Sequence, residues 1–229
     1  MWSELFLASV WGGVVAMDTT AAFQAMISRP MVSCTVVGLM LGNVPLGLTI
    51  GVLLELLYIN ELPVGAAKFS ESNVGAVAAA TVAIFVHQQL PQREIAAIAL
   101  SLFLGIIISY LGGKLVVLMR RINSRIYSKL LDTDPLTPWH IDLAQFWGIL
   151  LSFVLGFASV FLTAWVFTNR MIWALHQFPQ TYDKILQPAM AGLLGAGCAF
   201  LAYMFWEQSK RGWLLTLGLA IGLVLYILS

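Results

Sequence analysis

Glu55 follows an uncharged run, residues 31–54, and lies among Leu53, Leu54, Leu56 and Leu57. An ionisable side chain inside an apolar membrane segment is costly, and by default it marks a place where a substrate or an ion is handled. The position has a second reading, a glutamate at a helix end whose carboxylate snorkels to the interface. Asp18 and Gln24 pose the same question nearer the N-terminus. On a regular helix their spacing sets them about 240° apart, so only a break near Thr19-Thr20 would bring them together. Lys68, Ser70, Glu71, Ser72 and Asn73 form the densest polar cluster ahead of the basic stretch at 114–129. A neutral sugar is held through its hydroxyls by carboxylates and amides. Asp18, Gln24, Glu55, Glu71 and Asn73 supply both, and Phe23, Tyr58 or Phe69 offers an aromatic face for the ring. The same carboxylates also suit protons or cations.

Other chemistries find little support. His87, His140 and His176 are far apart, with no metal-ligand spacing among them and no cysteine–histidine cluster. Each sits near a predicted membrane boundary. No phosphate-binding glycine loop is present. Cys34 and Cys198 lie in apolar runs and read as buried small hydrophobes. No metal and no cofactor is expected.

The elements that must position these groups follow from composition. Of 229 residues, 60% are hydrophobic and 10% charged, against about 25% charged in an average soluble domain. So few charges cannot cover a globule of this size, and so much Leu, Ile, Val and Phe excludes disorder. Two cysteines exclude a disulfide-framed scaffold, and a net charge of +1 argues against a nucleic-acid partner. The expected fold is an all-α polytopic integral membrane protein whose solvent is the lipid bilayer. It forms a single domain, 1–229, of about seven hydrophobic segments, some broken or re-entrant. The charge-free runs are 5–17, 31–54, 74–86, 95–113, 143–169, 185–206 and 212–229. Runs 5–17 and 74–86 fall short of the ~20 residues a spanning helix needs. Short or interrupted segments point to a transporter's binding site. The acidic start, Met1-Trp2-Ser3-Glu4, predicts a retained first segment rather than a cleaved signal. Lys114, Arg120, Arg121, Arg125 and Lys129 should be cytoplasmic, with Lys210 and Arg211 on the same side. Arg93, Arg170 and Lys184 then lie outside, and so does Ser229. The connection 119–142 reads as a surface loop or amphipathic element.

The polar positions fall within a longer pattern. Phe23-Gln24-Ala25-Met26-Ile27-Ser28-Arg29-Pro30 runs into Gly38-Leu39-Met40-Leu41-Gly42-Asn43. Then come Gly47, Gly51, Leu54-Glu55-Leu56 and Pro63-Val64-Gly65-Ala66-Ala67. This succession, within residues 12–80, resembles the enzyme IIC component of the mannose/fructose/sorbose family of the bacterial phosphotransferase system. A weaker echo runs over residues 188–204. Two departures stand out: Asn43 where the family usually has Asp, and Lys68-Phe69-Ser70-Glu71 where it is usually proline-rich.

The resemblance implies a permease subunit of the bacterial cytoplasmic (inner) membrane that binds and translocates a hexose or hexosamine. It implies a membrane partner, enzyme IID, soluble phosphoryl carriers IIA and IIB, and an oligomer with three IIC–IID pairs. The IIB carrier phosphorylates the sugar, so no phosphoacceptor or catalytic residue is expected in this chain. Carried over by motif, the family's sugar contacts fall on Gln24, Glu55 and the region Lys68–Asn73, which contains Glu71 and Asn73. Asp18 joins them from the reading of the residues. Two other readings stay open. One is a proton- or ion-coupled carrier using Asp18, Glu55 and Glu71. The other is a non-transporting sensor or scaffold descended from the permease.

Overall fold

A computed structural model of the chain describes residues 2–59, 71–131 and 137–207, with positions 213, 216 and 220, and among these every regular element is helical. The first helix, α1 (Trp2–Ala16), widens into a π-helical turn, Met17–Ala21, and stops at Ala22, whose backbone is extended. Local chemistry explains the stop. The Thr19 hydroxyl donates back to the Val15 carbonyl at 2.9 Å, a bond that competes with the helix ladder and bends it. The break falls at Thr19-Thr20, where one was needed if Asp18 and Gln24 were to come together.

The run 31–54 was expected to be one segment; it is instead a helical hairpin. Helix α2 (Pro30–Met40) starts with proline at its first position, which suits a helix N-terminus. It ends before Gly42, whose φ of +76° is a left-handed conformation open to glycine. The Asn43 side chain then accepts from the Leu46 amide and caps α3 (Val44–Tyr58). The signal was present in the sequence as Gly42-Asn43-Val44-Pro45, a turn followed by a cap. An uncharged turn leaves no gap in a charge-free run, so hydropathy hid it.

Small residues let α2 and α3 touch backbone to backbone. A Cβ added at Gly51 would lie 2.6 Å from the Pro30 carbonyl oxygen and 2.9 Å from the Met31 Cα. Gly51→Leu is therefore expected to destabilise the protein by about 1–3 kcal/mol, the usual cost of overpacking. Thermal unfolding in detergent, read by monodispersity, measures this; an unchanged midpoint would contradict the packing.

Helix α4 (Ser72–Gln89) is buried throughout Val74–Val86. It is apolar on all sides, as a helix surrounded by other helices must be, and it packs against α1, α2, α3, α5 and α6. A short 3₁₀ turn, Pro91–Arg93, reverses the chain into α5 (Glu94–Leu131). Helices α6 (Pro138–Gln177) and α7 (Thr181–Glu207) follow. The expected short segment 74–86 is thus an 18-residue helix. The connection 119–142, expected as a surface loop or amphipathic element, is largely the continuation of α5 and the start of α6, with 132–136 outside the described residues.

Helices α5 and α6 are 38 and 40 residues long, about 57 and 60 Å at the α-helical rise. Both are long and apolar enough to cross a membrane. They expose Phe103, Ile107 and Leu111 on α5 and Leu162, Trp165 and Trp173 on α6, a surface suited to lipid. Cys34 is buried as expected, but Cys198 is exposed on α7, where an apolar run alone does not distinguish core from lipid-facing positions.

Candidate functional site

Helix α4 begins deep inside the molecule. The Glu71 amide donates to the Ser109 carbonyl at 2.9 Å, and Ser109 lies on α5, 15 residues after its first residue, Glu94. That is about 22 Å along the helix, well into the ~30 Å apolar layer of a bilayer. The opening turn of α4 therefore presents main-chain N–H groups and the positive end of a helix dipole at membrane depth. The Glu71 side chain is 7% exposed, with Thr19 beside it. Its Oε1 has no hydrogen-bond partner among the described residues. It borders a small cleft between α1, α4, α5 and α6, whose walls include Gly112, Ser152 and Ser159. Asn73 donates from Nδ2 to the Thr19 hydroxyl at 3.1 Å, joining α4 to the π-helical turn.

The stretch between the π-helical turn and α2 is held by Asp18. Its Oδ1 accepts from the Ala25 amide at 2.7 Å and its Oδ2 from the Ser28 amide at 2.9 Å. Asp18 itself is 2% exposed. Phe23, Gln24 and Met26 all have positive φ, at 67°, 51° and 62°. A non-glycine residue costs of order 1–3 kcal/mol in such a conformation, and these persist where the surroundings over-determine them. The two Asp18 bonds supply that constraint and lift Gln24 to an exposed position. Trp11 adds a tie from α1 to α2, its Nε1 donating to the Ser33 carbonyl at 3.0 Å.

Glu55 lies one turn before the end of α3, where it faces the start of α2 across the hairpin. Its Oε1 stands 3.4 Å from Arg29 Nη1, and its Oε2 accepts from the Met31 amide at 3.3 Å. Each charge sits at the wrong end of its own helix dipole, Glu55 near a C-terminus and Arg29 at an N-terminus. Pairing them relieves both. The two bonds are long, and the carboxylate side chain remains 20% exposed, so it retains acceptor capacity. Glu55 thus lies near a helix end and is partnered there by Arg29.

The structure thus gathers Asp18, Glu71 and Asn73 around the π-helical turn, with Gln24 on the adjoining loop and Glu55 joined to that loop through Arg29. Lys68 lies outside the described residues. Sequence reasoning missed Arg29 as the partner of Glu55, Thr19 as the partner of Asn73, and Ser109. Arg29 had a signal, since the residue before a helix-starting proline is fixed in place; the other two needed tertiary contact. No group of three or more His, Cys, Asp or Glu side chains able to hold a metal occurs among the described residues.

Comparison with known proteins bears on this arrangement. A family described as "PTS system sorbose-specific iic component" matches residues 2–227. The chain is 32% identical over 95 residues to the PTS system sorbose-specific EIIC component of Klebsiella pneumoniae, covering 42% of this chain and 33% of that one. It is 31% identical over 94 residues to the protein of the same description from Lacticaseibacillus casei, covering 41% of this chain and 33% of that one. The matched stretch spans a third of these curated relatives. Two solved structures share the fold. One is titled "Structure of membrane protein", with a TM-score of 0.68 at 20% identity, covering 100% of this chain and 96% of that one. The other is "CryoEM Structure of Mannose Transporter ManYZ and Microcin E492 (MceA) complex", with a TM-score of 0.54 at 19% identity and the same coverage.

Proposed function

The chain belongs to the sorbose-specific IIC family of the phosphotransferase system, and from that premise we propose that it is the membrane permease subunit of a sugar phosphotransferase complex. It binds a hexose or hexosamine at membrane depth and passes it to the cytoplasmic side of the bacterial inner membrane. There a soluble IIB carrier, charged by IIA, phosphorylates it. Enzyme IID is the membrane partner, in an assembly of three IIC–IID pairs.

One observation carries the reading. Discontinuous helices converge at the buried N-terminus of α4, and such breaks place substrate sites at mid-membrane in transporters. Amide N–H groups at that helix start donate to sugar oxygens. The Glu71 carboxylate, the Gln24 and Asn73 amides, Glu55 and Lys68 take sugar hydroxyls and oxygens. Asp18 acts by shaping the loop that carries Gln24, both of its oxygens being engaged with main-chain amides. Movement of the broken segments against the packed α4–α6 core gives alternating access.

The test is uptake. The chain is co-expressed with its IID partner in a host lacking mannose-family permeases, and labelled hexoses and hexosamines are supplied with and without the carriers. Carrier-dependent accumulation of sugar phosphate is expected. Proton-driven uptake indifferent to the carriers would replace this reading with the ion-coupled carrier. No uptake by a verified assembly would replace it with a sensor or scaffold.

A further inference from the structure

Helices α5 and α6 run antiparallel, and two contacts fix their register. The Ser101 hydroxyl meets the Met171 sulfur at 3.7 Å, and a Cβ added at Gly148 would lie 3.5 Å from the Asn123 side-chain nitrogen. Both contacts give the same alignment, so Trp147 stands level with Ser124 and Arg125, and Trp173 with Ile98. Trp147 and Trp173 are 52% and 67% exposed. They are 26 positions apart on one helix, about 39 Å. That distance matches a bilayer with its interfacial layers, ~40–45 Å, whose two faces collect tryptophan. Between Ile98 and Met119 α5 carries one charge, Lys114, whose ammonium lies 4.5 Å from the Tyr110 ring centroid and is attracted to its face.

The basic end of α5 therefore falls within the interfacial layer. Arg121 and Arg125 lie within one helical turn of the Trp147 level. They are four residues apart on one face of α5, and both are exposed. Neither forms an ion pair with an acidic side chain among the described residues. Lys129 is a turn further out, near the level of Asp142 on α6, whose charge offsets its own. At and just beyond the Trp147 level α6 exposes Trp139, Ile141, Leu143 and Phe146. Below Arg121 the same side of α5 exposes Leu118 and Leu111. Two arginines above an apolar flank and beside aromatic rings match the two halves of a lipid. The guanidinium forks suit a phosphate, the rings sit at headgroup level, and the leucines meet acyl chains.

We propose that Arg121 and Arg125, with Trp147 and Phe146 of α6 at their level, bind the phosphate headgroup of an anionic phospholipid whose chains lie along Leu118 and Leu111. The excess of basic residues assigns this end to the cytoplasmic leaflet, and basic clusters just past a membrane helix attract anionic lipid there. Such a lipid anchors the α5–α6 hairpin at the interface. The site requires membrane residence and is independent of which solute the chain carries.

The test titrates the full chain in its membrane assembly, purified in neutral detergent, with phosphatidylglycerol, phosphatidylcholine or soluble glycerol phosphate. Native mass spectrometry counts the bound lipid. Phosphatidylglycerol should bind in preference to phosphatidylcholine, and its binding should fall with rising salt. Each basic residue near an anionic lipid surface contributes about fivefold, so the Arg121→Gln, Arg125→Gln double variant should bind phosphatidylglycerol at least about tenfold more weakly. The single changes, each expected to cost about fivefold, serve where the double variant does not assemble. Arg121→Lys with Arg125→Lys keeps the charges and should retain most of the affinity. Phosphatidylglycerol binding that ignores the glutamine changes overturns the site. Equal binding of phosphatidylcholine would make it an ordinary lipid contact. Displacement by glycerol phosphate at equal concentration would make it a site for free anions, and displacement by the purified IIB carrier would give the face to a soluble protein; either result overturns the proposal.

Discussion

Replacing Glu55 by Ala is expected to weaken sugar affinity ten- to a hundredfold in the assembled complex, and replacing it by Gln should cost nearly as much. The carboxylate is held by Arg29 and the Met31 amide at 3.4 and 3.3 Å, and it is 20% exposed. A hydrogen bond from a sugar hydroxyl to such a charged acceptor contributes about 1.5–3 kcal/mol, which sets the size of the loss. Gln keeps the shape and one acceptor but removes the charge that pairs with Arg29. The structural role has to be separated from the binding role. Arg29→Ala removes the ion pair and leaves the carboxylate, so it should lower thermal stability while costing less affinity than Glu55→Ala. A partly exposed pair of this kind contributes little to stability, about 0–1 kcal/mol, so the Glu55 variants should still assemble. Sugar titration of the monodisperse complex decides the matter. Unchanged affinity in both Glu55→Gln and Glu55→Ala would falsify the assignment.

The largest stability loss is expected at Arg93, far from this site. Its side chain is 6% exposed and lies 2.9 Å from the Asp183 carboxylate. Its Nη1 also donates to the Leu175 carbonyl at 2.9 Å and the Phe178 carbonyl at 2.8 Å. Those carbonyls belong to the end of α6, where the helix has no partners of its own for them. One guanidinium therefore joins the α4–α5 turn to the α6–α7 turn. Arg93→Ala leaves a carboxylate and two carbonyls without it, at a cost of about 3–5 kcal/mol, the range for breaking one side of a buried ion pair. Arg93→Lys should recover only part of this, since an ammonium cannot span all three acceptors with the same planar fork. Asp183→Asn combined with Arg93→Ala should cost less than the sum of the single changes. The readout is the melting midpoint and monodisperse fraction in detergent. A shift within the error of wild type for Arg93→Ala would mean that the clamp carries no stability.

The candidate site was legible in the sequence where polarity was anomalous. Asp18, Glu55 and Glu71 were conspicuous because a charge in an apolar run needs a reason, and the structure finds partners or burial for each. A break near Thr19-Thr20 was legible only as a condition, the one under which Asp18 and Gln24 could share a site; the structure shows the π-helical turn there. The hairpin inside 31–54 was not. Its turn is made of Gly42 and Asn43, which carry no charge, so the hydropathy profile passes through it. The connection 119–142 left two readings open, a surface loop or an amphipathic element, and the structure makes most of it helix. Basic residues suggest a loop, yet Arg and Lys are good helix formers, and α5 keeps its hydrogen bonds past the apolar layer.

By itself the sequence determined the solvent, the helical class and the family, because each follows from composition or from a linear succession of residues. It also determined which side chains needed an explanation. Only the tertiary structure decided how those explanations combine. The depth of Glu71 is set by its amide bond to Ser109, the pairing of Glu55 by the hairpin that returns it to Arg29, and the burial of Arg93 by a turn more than eighty residues away in sequence. Such contacts depend on which helix faces meet. Apolar runs facing lipid and apolar runs facing protein read alike in one dimension, so the chain had to be folded before they could be told apart.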